Sequence, residues 1–177
     1  MHRLFFAIFP DPAALQAIED VAANLRKART IRGRWTEPAK YHITARFLGD
    51  FSETAETVMN RAKAAAAQVR ATAFEMTLDR ITTLRGRYQV PCVLRCSARS
   101  EPAVEALWHG LGAALSLTPE QEQTQRRFLP HLTIAYCDRM LDQPLGIGPI
   151  VSRIDEFALV DSYQSTHVVH GRWPLQP

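Results

Sequence analysis

Apolar and polar positions along the chain alternate in a way that assigns most of it to strands and helices. Residues 3–9, Arg3-Leu4-Phe5-Phe6-Ala7-Ile8-Phe9, form a nearly unbroken apolar run closed by Pro10 and predict a buried strand. Asp11 then stands as a helix N-cap with Pro12 at the first helical position. Leu15, Ile18, Val21, Ala22 and Leu25 recur at helical spacing, which predicts a helix over 12–27. A loop through Gly33 to Pro38 leads into a strand over 41–48, ended by Gly49-Asp50. A second helix opens near Ser52 or Glu53 and runs to about Arg70 through the strongly helical Ala64-Ala65-Ala66-Ala67.

The second part of the chain continues the same alternation. Residues 73–79 alternate as a strand does, Arg85-Gly86-Arg87 marks a turn, and 90–97 reads as a strand whose Pro91 suggests a sheet edge. A third helix starts at Ser100-Glu101-Pro102 and is carried by Val104, Leu107, Trp108, Leu111 and Leu115. Residues 117–128 are polar and read as a loop, and 131–137 as a strand. Pro144, Gly146, Gly148 and Pro149 mark an irregular stretch, and strands over 154–161 and 166–173 close the chain. Strands and helices in this order predict an α+β fold. It has two similar lobes of mixed or antiparallel sheet, helices on the outer faces and a cleft between the lobes. No low-complexity linker divides the chain, so residues 1–177 are expected to fold as one domain.

Composition narrows the class. With 46% apolar and 22% charged residues, 177 residues suffice for one ample core, which argues against disorder. No apolar run is long enough to span a bilayer, so no membrane partner is expected. The apolar start is too short for a signal sequence and reads as the first strand. Cys92, Cys96 and Cys137 cannot all pair and lack zinc-type spacing, so free thiols in a reducing cytoplasm are the expectation. The net charge is +3 and unevenly placed: Arg26, Lys27, Arg29, Arg32 and Arg34 fall within nine residues without an acid, and Arg126-Arg127 precede the strand at 131. Such runs solvate a surface or attract phosphate.

The candidate chemistry lies in a repeated pattern. Tyr41-His42-Ile43-Thr44 and Pro130-His131-Leu132-Thr133 each set a His-x-Thr in an apolar strand, 89 positions apart. A strand has a side-chain period of two, so each copy presents an imidazole and a hydroxyl on one face. A single copy is a weak signal, since strand threonines and half-buried histidines are ordinary. Two copies in matching contexts carry more weight. Facing each other, they would form an acid–base site with two hydroxyls for a phosphate diester, and from the residues alone either histidine could take either role. No acidic ligand cluster accompanies them, so neither a metal nor another cofactor is expected. Trp35, Phe128 and Tyr136 are candidate stacking surfaces, and Arg34, Arg46 and Arg127 candidate basic contacts.

Over nearly its whole length the chain resembles the 2H phosphoesterases, and among them the bacterial and archaeal RNA 2′,3′-cyclic phosphodiesterases once called 2′-5′ RNA ligases. The resemblance is carried by Arg3-Leu4-Phe5-Phe6-Ala7-Ile8, by Arg34-Trp35 with Pro38, and by His42-Ile43-Thr44 with Phe47-Leu48-Gly49-Asp50. Phe128-Leu129-Pro130-His131-Leu132-Thr133-Ile134-Ala135 and the ending Leu159 to Ser162, His170 and Arg172-Trp173-Pro174-Leu175 complete it. The chain departs from the family at Arg46, usually apolar, and at Tyr136, usually arginine.

The resemblance implies that His42 is the general acid, His131 the general base on water, and Thr44 and Thr133 the phosphate-binding hydroxyls. A 2′,3′-cyclic phosphate RNA end would open to a 2′-phosphate, and the protein is expected to act as a monomer. Three rival readings remain. One is 2′-5′ RNA ligation or hydrolysis of another cyclic or 2′-5′ nucleotide. Another is a non-catalytic RNA- or nucleotide-binding module. The third makes histidines metal ligands, which the spacing of His167 and His170 disfavours, because residues three apart on a strand point to opposite faces. No G-x-S-x-G, Walker A or G-x-G-x-x-G pattern is present, so serine hydrolases and nucleoside-triphosphate enzymes lack support.

Overall fold

A computed structural model describes residues 1–86, 88–117, 128–164 and 166–177. Arg87, at the predicted turn, and residues 118–127, which hold most of the predicted loop together with Arg126 and Arg127, lie outside the described residues. The elements are β1 (His2–Ile8), α1 (Pro12–Lys27), β2 (Gly33–Trp35), β3 (Ile43–Phe51), α2 (Glu56–Ala66), β4 (Phe74–Thr83), β5 (Val90–Cys96), α3 (Glu101–Ala114), β6 (His131–Cys137), β7 (Leu145–Ile154), β8 (Glu156–Tyr163) and β9 (Thr166–Pro174). A 3₁₀ turn, Pro38–Lys40, links β2 to β3.

The strands join in the order β7-β4-β5-β6-β3-β1-β8-β9, with β2 paired to β6, and every strand pairing is antiparallel. The fold is thus α+β, as expected, with the two His-x-Thr strands side by side at the centre. Four strands flank each side of that junction, so the lobes are not the two halves of the chain. β4 from the first half joins the lobe of β6, and β8 and β9 from the second half join the lobe of β3.

Local sequence explains most of these elements. Asp11 caps α1 by accepting a 2.9 Å hydrogen bond from the Ala14 amide, and its other carboxylate oxygen accepts from the Arg153 amide of β7. The helix start is thereby tied to the sheet. Ile18, Ala62, Val104, Leu107 and Leu111 from the three helices enter one core cluster with Phe6, Ile43, Leu94, Leu132 and Leu159 from the strands. The three α-helices of the described residues therefore cover the same face of the sheet. Each large aliphatic or aromatic side chain buried there contributes roughly 1.5–3 kcal/mol. Among the described residues no helix is long and apolar enough to cross a membrane.

Three expectations are corrected. The Pro- and Gly-containing stretch at 144–149 is the start of β7, which forms an edge of the sheet, where interruptions to the ladder are tolerated. β5 is interior, between β4 and β6; Pro91 is accommodated as its second residue rather than by an edge position. The supposed loop at 33–38 contains β2, which pairs with the end of β6 through Gly33↔Cys137, Arg34↔Tyr136 and Trp35↔Ala135.

β2 can approach β6 only because residue 33 is glycine. Its φ is +148°, and a Cβ there would lie 2.0 Å from the Tyr136 carbonyl oxygen. Gly33→Ala is expected to lower stability by about 1–3 kcal/mol in denaturant unfolding, the usual cost of overpacking and strained backbone. An alanine variant as stable as the parent would show that this pairing does not anchor β2.

Candidate active site

β3 and β6 touch at one ladder position, Ile43↔Leu132. Ile43 is 1% exposed and Leu132 0%, both turned into the helix-covered core. The alternation of a strand then sends His42, Thr44, His131 and Thr133 to the opposite face, where all four line one cleft of about 700 Å³. The antiparallel register carries His42 opposite Thr133 and Thr44 opposite His131. The two histidines are then diagonal neighbours, a relation that spaces residues roughly 7–8 Å apart.

The two motifs are clamped in the same way. The His42 Nδ1–H donates to the Lys40 carbonyl at 2.7 Å, and the His131 Nδ1–H donates to the Leu129 carbonyl at 2.6 Å. In each case the acceptor lies two residues before the histidine. A carbonyl can only accept, so both neutral rings carry their proton on Nδ1 and have a lone pair on Nε2. At His42 that lone pair accepts the Thr44 hydroxyl at 3.3 Å. Phe5 stacks on the His42 ring with centroids 4.9 Å apart and an interplanar angle of 21°.

Burial pushes the His42 imidazole down to about 4; the Lys40 carbonyl opposes this, and nearby His167 and His131 add to it. His131 is also lowered, again chiefly by burial and further by the Arg95 guanidinium, against the favourable Leu129 carbonyl. Both rings are therefore neutral near pH 7 in the free protein.

A matched pair of bulges shapes the rest of the cleft. The β1–β3 register passes from Ala7↔Thr44 to Phe6↔Arg46, making Ala45 an extra residue. The β5–β6 register passes from Val93↔Thr133 to Cys92↔Ala135, making Ile134 an extra residue. Each bulge resets the alternation just after the threonine. The aromatic three places beyond each threonine, Phe47 and Tyr136, consequently lines the cleft.

The same reset corrects the expectation for Arg46. It is 1% exposed and lies on the core face with its guanidinium 4.2 Å from the Trp108 ring centroid, so it is not a cleft contact. Phe128 likewise stacks on Trp108 at 5.4 Å and does not line the cleft. Arg34, Trp35 and Tyr136 are brought together there; Arg34 lies over the Tyr136 ring at 4.8 Å, and Arg26 over Trp35 at 4.9 Å. Arg127 is outside the described residues.

Sequence reasoning missed several cleft residues. Lys40 and Arg3 are among them, each already paired, with Glu37 at 2.8 Å and with Asp50 at 2.9 Å. Phe47 was legible in principle, because His-x-Thr-x-x-aromatic occurs in both motifs. Sequence spacing bears on His167 of β9 only as a metal ligand, yet its ring stands 5.2 Å from that of His42 at 76°. Among the described residues no group of three or more His, Cys, Asp or Glu side chains is placed to hold a metal ion.

The family match and the fold together place the chain among the 2H phosphoesterases. More narrowly, the chain belongs to the 2′-5′ RNA ligase superfamily, whose family model matches residues 9–164. Solved structures with the same fold include Escherichia coli LigT complexed with ATP, 22% identical, with a TM-score of 0.74 over 99% of each chain. TT0787 of Thermus thermophilus is 21% identical with a TM-score of 0.72 over 98% of each chain, and a further phosphoesterase is 22% identical with a TM-score of 0.71 over the full length of both. No curated protein matches the chain in sequence.

The depressed His42 makes a prediction about stability. Its folded value lies below that of an unfolded histidine, 6.5, so between about 4 and 6.5 the unfolded chain binds more protons. Its stabilising contribution is full above pH 6.5 and is lost as pH falls toward 4. Denaturant unfolding across this window should show that decline, with a shallower decline in His42→Phe. An equally steep decline in the variant would contradict the assignment.

Proposed function

We propose that this chain hydrolyses RNA ends bearing a 2′,3′-cyclic phosphate to 2′-phosphate ends, by acid–base catalysis from its two histidines. The carrying observation is that both imidazoles are clamped alike through Nδ1 and both line one cleft, which leaves Nε2 as the working nitrogen of each ring. In the reaction, the His131 Nε2 takes a proton from water as its oxygen attacks phosphorus. The bond from phosphorus to the 3′ oxygen breaks, and the His42 Nε2–H protonates that oxygen, leaving a free 3′ hydroxyl. The role of each histidine follows the family resemblance.

The charge states fit a site that is loaded by its substrate. Burial leaves both rings neutral in the free protein, and an anionic phosphate diester brought between them supplies the opposite charge that favours protonation of one. The Thr44 and Thr133 hydroxyls donate to the non-bridging oxygens, where negative charge grows. Arg34, Trp35 and Tyr136 form the wall on which the preceding base stacks. Residues 1–177 work as one domain, since the site draws on both lobes. The three free cysteines favour a reducing compartment, and hence the cytoplasm. The E. coli LigT structures with ATP and with 3′-AMP support a nucleotide-bearing substrate.

The test is incubation, in chelator, with an RNA oligomer ending in a 2′,3′-cyclic phosphate. A 2′-phosphate end is expected, and His42→Ala and His131→Ala should each lose about 10²–10⁴-fold in kcat. Unchanged RNA with the parent protein, or full activity in either variant, would refute the scheme. Joining of the ends into a 2′-5′ linkage instead of hydrolysis would favour the ligase reading.

A further inference from the structure

His167 sits in the cleft with an arrangement opposite to that of the two motif histidines. It lies on β9 directly across from Ser162 of β8, and both line the cleft beside His42. Its ring meets that of His42 at 5.2 Å and 76°, and that of Phe5 at 5.8 Å and 78°. Its Nδ1 is sealed from solvent and has no hydrogen-bond partner among the described residues. The nitrogen left to face the cleft is therefore Nε2.

That geometry fixes the proton. An N–H at Nδ1 would be a buried donor with nothing to accept it, at a cost of roughly 1–3 kcal/mol, whereas a buried lone pair is the milder defect. The neutral ring accordingly carries its proton on Nε2. A second proton would have to sit on the sealed Nδ1, and burial together with the Lys40 ammonium lowers the ring's tendency to take it. His42 and His131 thus carry acceptor lone pairs on Nε2 in the free protein, that of His42 engaged by the Thr44 hydroxyl, while His167 offers an N–H to the cleft.

We propose that His167 is a substrate-binding residue whose Nε2–H donates to an oxygen of the ribose–phosphate unit held against His42. The inference rests on the phosphodiesterase reading for the identity of that unit, a nucleotide whose phosphate bridges or occupies its 2′ position. His167 is a neutral, fixed donor, unlike the paired Arg3 and Lys40 at the same rim, so it adds a directed hydrogen bond without another charge. It also abuts the His42 ring, so the bound oxygen and the acid are set by the same contact. Ser162 and Gln164 extend this polar wall at the turn between β8 and β9.

Two variants separate hydrogen bonding from packing. Phenylalanine keeps the ring and removes the donor, while glutamine places an amide N–H near the position of Nε2 and removes the ring. The probe is adenosine 2′-monophosphate, with affinity read by titration calorimetry on the full chain, beside a long-range ¹⁵N–¹H spectrum of the parent's histidines. The spectrum should show His167 protonated on Nε2 and His42 and His131 on Nδ1. His167→Phe should bind the nucleotide about 2–10-fold more weakly, the loss of one hydrogen bond, and His167→Gln should recover most of that loss.

Binding by the phenylalanine variant equal to that of the parent, a glutamine variant weaker than the phenylalanine one, or an Nδ1–H tautomer at His167 would each overturn the proposal. So would failure of the parent to bind the nucleotide. If the parent binds it yet opens no cyclic phosphate, the hydrolytic reading falls while the role of His167 is still decided by the binding data.

Discussion

Ile43 and Leu132 face each other at the one ladder position where β3 and β6 meet, and both are sealed in the core. Their burial decides which way every neighbouring side chain points. With the apolar centre of each His-x-Thr directed into the helix-covered layer, the histidine and threonine on either side have only the cleft face left. A register slip of one residue in either strand would bury two polar side chains and expose a leucine or isoleucine, so the hydrophobic layer enforces the alignment of the polar one. Two distant segments of chain become one site because their apolar residues, not their polar ones, find each other.

The second constraint is electrostatic. A backbone carbonyl two residues upstream of each histidine holds Nδ1–H, and burial withdraws water from the ring. The first effect favours the charged imidazole and the second opposes it, and burial is the larger at both positions. The result is a pair of neutral rings whose charge waits on what enters the cleft. The bulges at Ala45 and Ile134 then bring Phe47 and Tyr136 to the same face, so the likeness between the two strands extends beyond the motif to the aromatic side chain three places further on.

Much of this was legible in the sequence where one physical rule acts alone. The helix over 12–27 is set by Asp11, Pro12 and an apolar stripe, and the strand over 131–137 by an apolar run after proline; the structure has both with the same ends. Rules failed where tertiary structure overrides local pattern. Arg46 belongs with His42 and Thr44 by simple alternation, yet the bulge at Ala45 turns it into the core onto Trp108. β2 is too short to register as a strand and exists because β6 offers an unpaired edge where β3 diverges from it. His167 follows polar Thr166 and precedes the apolar pair Val168-Val169, a run without period-two alternation, and only the order of strands in the sheet brings it beside His42. The placing of β4 in the lobe of β6, and of β8 in the lobe of β3, is likewise a property of the whole sheet rather than of any segment.

The account comes down to one phosphate held by two motifs at once. Its most direct test is a crystal structure of the protein with a nucleoside 2′-monophosphate. The phosphate is predicted to lie between the Nε2 atoms of His42 and His131, within hydrogen-bond reach of both, with the Thr44 and Thr133 hydroxyls on its remaining oxygens. A phosphate bound to one motif alone, or seated elsewhere on the molecule, would contradict it.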